Sequence, residues 1–94
     1  MAEDYSIDDF MPADGETFEI DHDGERVPLL LDWVEPIKHS PRGEGGFRLE
    51  FRGPREPLLP QAIYALERDG KAYEMFIVPV AQDAQSATYE AIFN

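Results

Sequence analysis

At 94 residues and 10.7 kDa, with 43% hydrophobic and 30% charged residues, the chain describes one compact soluble domain and leaves no room for a second. It contains no Cys, which excludes disulfide scaffolds, thiolate zinc sites and cysteine nucleophiles and makes a reducing cytoplasm the expected compartment. The net charge is −12, and residues 1–36 hold twelve acids against Arg26 alone, so that part of the molecule repels nucleic acid and attracts basic partners.

The start, Met1-Ala2-Glu3-Asp4, is acidic where a secretory leader needs positive charge, and no apolar run approaches the length of a membrane span. Residues 1–14 are expected to form an N-terminal arm and residues 15–94 a β core. In the arm, Ser6-Ile7-Asp8-Asp9-Phe10 has the features of a capped helical turn, with Ile7 and Phe10 sharing a face and Pro12 ending it. From Glu16 the period changes to two: Phe18 and Ile20 point one way, Glu19 and Asp21 the other. Asp23-Gly24 supplies a hairpin turn, and the return strand from Arg26 to Ile37 places Val27, Leu29, Leu31 and Trp33 on one face, with Leu30 and Val34 on the other.

After the breaker-rich Ser40-Pro41-Arg42-Gly43-Glu44-Gly45-Gly46 comes a clean strand, with Phe47, Leu49 and Phe51 inward and Arg48, Glu50 and Arg52 outward, stopped by Gly53-Pro54. Pro54 to Pro60 reads as an extended crossing between layers. Ile63–Arg68 and Lys71–Val80 form a second hairpin around Asp69-Gly70, with pairing lapsing at Pro79, which has no N–H to donate. After a polar turn over Gln82 to Ser86, Thr88 to Phe93 alternates again, with Tyr89, Ala91 and Phe93 facing together. Six such strands predict an all-β, antiparallel small barrel or sandwich with a short N-terminal helical turn, closed or nearly so because one helical turn cannot cover an open apolar face.

Several segments carry a resemblance. Phe10-Met11-Pro12-Ala13-Asp14-Gly15-Glu16-Thr17-Phe18, Phe51-Arg52-Gly53-Pro54, Leu59-Pro60-Gln61-Ala62-Ile63-Tyr64, Phe76-Ile77-Val78-Pro79-Val80 and the ending Tyr89-Glu90-Ala91-Ile92-Phe93-Asn94 resemble a family of small uncharacterised bacterial proteins. Members of that family are often encoded beside phage-tail-collar proteins of the microcystin-dependent type. The resemblance implies a tail-like or fibre-like neighbour and carries no catalytic residue.

The residues themselves offer little chemistry. Asp21-His22-Asp23 has metal-ligand composition, but successive strand residues point to opposite faces and Asp23-Gly24 is accounted for by the turn. His39-Ser40 lacks an orienting acid and oxyanion donors, and Gly43-Glu44-Gly45-Gly46 lacks the Lys-Ser/Thr of a phosphate loop. No enzyme activity, metal or cofactor is expected. Two surfaces remain as candidates. Arg48 and Arg52 point together on one strand, with Arg42 and Arg55 on flanking loops, and would suit an acidic or carboxylate-bearing protein partner. The carboxylates of Asp8, Asp9, Asp21 and Asp23 would serve the alternative, an acidic decoy occupying a nucleic-acid-binding protein. Core filling is the expected role for most of Trp33, Tyr64, Tyr73 and Tyr89. The favoured function is a non-enzymatic accessory or structural protein that binds a protein partner, without nucleic acid or membrane. A ligand-holding barrel would need interior positions left unfilled.

Overall fold

Two Asp-Gly pairs turn the chain as the sequence predicts. Asp23 and Gly24 lie at φ 52° and 86°, and Asp69 and Gly70 at 54° and 79°, the pair of left-handed conformations that a type I′ hairpin requires. The computed structural model describes residues 5–37 and 46–93. The first turn joins β1 (Thr17–His22) to β2 (Glu25–Ile37), and the second joins β4 (Ala62–Arg68) to β5 (Lys71–Gln82). β3 (Gly46–Pro54) and β6 (Ser86–Phe93) complete six strands. All neighbours are antiparallel, in the closed order β1-β2-β3-β6-β5-β4, so the architecture is a barrel. Closure between β4 and β1 rests on the single pair Glu19↔Glu67.

The barrel interior is filled. Phe18, Ile20, Leu29, Leu31, Phe47, Leu49, Phe51, Leu66, Ile77 and Tyr89 are all essentially inaccessible, each from an alternate strand position. The N-terminal arm plugs one end. It runs through two successive 3₁₀ turns, Ile7–Asp9 and Met11–Ala13, so Pro12 does not end the helical segment; it sits early in the second turn, where its missing N–H has no helical partner to lose. Phe10, between the turns, is fully buried among the rings of Tyr5, Phe18, Phe47, Tyr73 and Phe93, at centroid distances of 5.4–6.5 Å. The opposite end is covered by the connection from β3 to β4, where the buried Leu59 donates its N–H to the Tyr89 hydroxyl at 2.9 Å.

Two irregularities shift the pattern. β2 bulges between Leu31 and Trp33, where Leu31 pairs with Phe51 and Trp33 with Glu50. The extra residue, Asp32, flips the phase of everything after it. Trp33 is therefore 52% exposed, contrary to the expected inward face, while Val34 packs against the core. A second shift between Pro79 and Ala81 in the β5/β6 ladder lies where the proline was expected to interrupt pairing. β3 ends at Gly53-Pro54 as expected, the two residues being its last paired ones, with Ala87 and Ser86. Gly53 is there for close approach, since a Cβ at that position would lie 2.7 Å from Leu29 Cδ2 and 3.2 Å from the Pro28 carbonyl oxygen.

Candidate functional site

With the inside occupied, the chemistry-bearing residues lie on the outer wall. Arg48, on β3, is placed by register opposite Glu35 of β2 and Ile92 of β6, with Glu50 two residues on and Glu90 across from Glu50. Its Nε and Nη2 donate to Glu35 Oε1 at 3.1 and 2.9 Å, and its Nη1 donates to Glu90 Oε2 at 3.0 Å and also to Glu50. Hydrogen bonding to Glu50 first, and to Glu35 and Glu90 with it, raises the guanidinium pKa further above its ordinary value. Arg52 donates to Asp32 Oδ2 at 2.9 Å, so the bulge that turns Trp33 outward also supplies a partner for this arginine. Arg55 is exposed on the connection after β3, and Arg42 lies outside the described residues, as do His39, Ser40 and the loop glycines up to Gly45. Arg48 and Arg52 share a face as expected; Arg48 is engaged by three carboxylates, whereas Arg52 is half exposed and spends only Nη2 on Asp32.

The four aspartates are not gathered on one surface. Asp8 and Asp9 are exposed on the first 3₁₀ turn, where Asp9 Oδ2 accepts the Ser6 N–H at 2.8 Å. Asp21 and Asp23 sit at the β1–β2 hairpin tip, toward the other end of the barrel. Asp21 is engaged by Arg26 Nη1 at 3.1 Å, and Asp23 lies 3.6 Å from His22 Nε2. Arg26 also reaches Glu19 and Glu67 across the closing seam, at 3.1 and 3.0 Å, and these carboxylates, Asp21 foremost, raise its pKa. Without that cation the two glutamates would face each other directly as like charges. Beside this clasp lies an open groove of about 360 Å³, lined by Glu16, Arg26, Glu67, Arg68 and Asp69 among others. Among the described residues no group of His, Asp or Glu is arranged to hold a metal, and Asp21-His22-Asp23 is not brought together as one.

The aromatic candidates divide. Tyr73 and Tyr89 are core residues; Tyr64 is half-buried, donates its hydroxyl to the Pro60 carbonyl at 2.6 Å, and has its pKa raised chiefly by desolvation. A different apolar feature emerges on the outside. Ile63 and Phe76 are direct partners in the β4/β5 ladder, while Ile92 stands on β6 opposite Arg48, two residues past the Val78–Glu90 pair at which the β5/β6 ladder ends. These three side chains are 70%, 50% and 51% exposed.

The model of a domain of unknown function, DUF6916, matches residues 5–93, the whole span from the arm's first core ring to the end of β6. The chain belongs to this family. No curated protein and no solved structure matches it. The DUF6916 match thus takes in the aromatic plug and the six strands together, so the arm is part of the family's domain and not an appendage to it. The sequence gives only faint signals of the bulge at Asp32 and of the exposed Ile63–Phe76 pair: a charged residue in mid-strand hints at the first, and the outward phase of an unusually apolar β5 at the second.

Proposed function

We propose that this DUF6916 domain is a non-enzymatic accessory or structural protein that binds a protein partner on the outer wall of a solid barrel. The observation that carries this reading is the contrast between inside and outside. The interior is closed by fully buried side chains, while Trp33, Ile63, Phe76 and Ile92 stay half or more exposed on strands that have an inner face to offer. A single exposed apolar residue needs no explanation, but adjacent large ones on a small domain mark contact surfaces. The resemblance to proteins encoded beside tail-collar-type genes supplies the setting, a tail-like or fibre-like assembly in which this chain is an adaptor or subunit.

The test is co-expression with a tail-collar-type protein of the microcystin-dependent class, followed by size-exclusion chromatography with light scattering at micromolar concentration. A co-eluting complex of defined stoichiometry is expected. Separate elution of the two proteins would end this reading.

A further inference from the structure

We infer that the β2 bulge builds a platform for a neutral sugar, with the Trp33 indole as its floor and Asp32, Glu50 and Arg52 as its hydrogen-bonding rim. The ligand is of a different class from the protein partner above, and the inference does not depend on that reading. Three observations lead to it.

The first is the aim of the side chains. In a regular strand successive residues point to opposite faces, so an outward ring has no outward neighbour in sequence. The bulge at Asp32 breaks that rule. Leu31 before it is buried and Val34 after it packs against the core, while Asp32 and Trp33 are both exposed on the wall. Bulges re-aim side chains in this way beside binding sites. Among the described residues, no other ring and no cation lies over the indole, so its face is open.

The second is what surrounds the ring. Glu50 stands directly across from Trp33, Arg52 is tied to Asp32 beside it, and Glu35 follows two residues on. All four are charged, so the apolar surface ends at the edge of one ring. A protein hot spot or a lipid surface needs a wider apolar area than that. A sugar ring does not: one of its faces presents C–H groups to the electron-rich indole, and its hydroxyls reach outward to donors and acceptors. The rim offers both. Arg52 donates only through Nη2, which leaves Nε and Nη1 spare, and Asp32 Oδ1 and Glu50 Oε1 are spare acceptors. Neighbouring strands lie about 4.8 Å apart, so the rim on β3 is within reach of hydroxyls on a sugar stacked over Trp33.

The third is charge. Around the ring, Arg48 and Arg52 are set against Asp32, Glu35, Glu50 and Glu90, on a chain of net charge −12. That excess of carboxylates repels anions, including nucleic acid with its stackable bases. A cation over the indole would compete with two guanidinium groups that already hold those carboxylates. A neutral polyol meets neither penalty.

Trp33 is the only tryptophan of the chain, so intrinsic fluorescence reports this site alone. The full chain is titrated with four neutral oligosaccharides, maltohexaose, xylohexaose, cellotetraose and N-acetylated chitotetraose. Protection of the indole from acrylamide quenching is read together with amide shifts in ¹⁵N-labelled protein. Saturable protection by at least one of them is expected, with the millimolar affinity of an open platform and with shifts centred on Asp32, Trp33, Glu50 and Arg52. Trp33→Ala should abolish those shifts, Trp33→Phe should keep part of the binding, and Arg52→Gln should weaken it about tenfold through loss of a charged donor. Far-UV circular dichroism and the thermal midpoint establish that each variant is folded.

No saturable protection by any of the four, or shifts that persist in Trp33→Ala, would overturn the inference. Tighter binding of oligogalacturonate or of oligoglucosamine would overturn it as well, since the site would then be reading charge. A tail-collar-type protein whose binding is lost in Trp33→Ala, with no sugar bound by wild type, would transfer the ring to a protein interface.

Discussion

Replacing Phe10 by Ala removes the one side chain that touches the other five rings of the arm end. The ring is wholly inaccessible and lies 5.4 Å from Tyr73, 5.7 Å from Tyr5, 5.8 Å from Phe47, 6.1 Å from Phe93 and 6.5 Å from Phe18. Four of these neighbours stand on paired strands, and Phe47 and Phe93 are further stacked on each other at 4.5 Å, so the walls cannot close over the void. Buried Phe→Ala changes cost about 3–5 kcal/mol, and limited collapse places this one toward the upper part of that range. Against a total stability of about 5–15 kcal/mol, the variant is left marginal, with a midpoint lowered by roughly 15–30 °C. Urea unfolding should be followed by far-UV circular dichroism, since Trp33 is half exposed and its fluorescence is a weak reporter of the core. A loss below about 1 kcal/mol, with the arm still protected from proteolysis, would refute the claim that Phe10 is the plug.

Three other outcomes follow from particular contacts. Tyr89→Phe leaves the buried Leu59 N–H without its acceptor and should cost about 1–3 kcal/mol in the same urea assay. Gly53→Ala drives a methyl group against Leu29 and the Pro28 carbonyl and should cost about 1–3 kcal/mol, with the β2/β3 amides near it losing hydrogen-exchange protection first. Asp83, in the β5–β6 turn, accepts hydrogen bonds from the backbone N–H groups of Gln85 and Ser86, both at 2.8 Å, and these hold its pKa below the usual carboxylate value. A depressed folded-state pKa contributes stability above the unfolded value and loses it as pH falls through the folded one, so Asp83→Asn should flatten part of the acid limb of the stability–pH curve and leave the slope near neutrality unchanged.

The alternation of two made most of the barrel legible, because each inward set from β1, β3 and β6 is a run of apolar residues at every second position. Both tight turns were legible for a local reason: only Asp-Gly or its kin takes two positive φ angles in succession. Strand order was not legible, because it is settled by contacts between segments far apart in the chain, such as Phe47 with Phe93. The phase error at Trp33 has the same origin. A bulge is chosen by the fit of two strands, and one strand's composition does not contain it. The alternation shows which face Arg48 and Arg52 take, but their occupation by Glu35, Glu90 and Asp32 depends on neighbours across the sheet. Arg42 belongs to residues outside the described ones.

The exposed Ile63–Phe76 pair has a structural explanation of its own. Aromatic and β-branched residues opposite one another on a sheet stabilise it by about 0.2–1 kcal/mol per pair, so Ile63 and Phe76 strengthen the β4/β5 hairpin even if nothing docks there. That benefit does not require apolarity, since Thr or Tyr serves as well on a wet face. Beside Phe76 stands Glu74, whereas Ile92 faces Arg48 directly across the β3/β6 ladder, and that cation is held by three carboxylates. Trp33 has no such explanation. Its cross-strand partner is Glu50, neither aromatic nor β-branched, so bracing accounts for Ile63 and Phe76 and not for the indole. The oligosaccharide titration measures that difference: a ring merely left outside stays open to acrylamide at every sugar concentration, and a binding platform is shielded saturably.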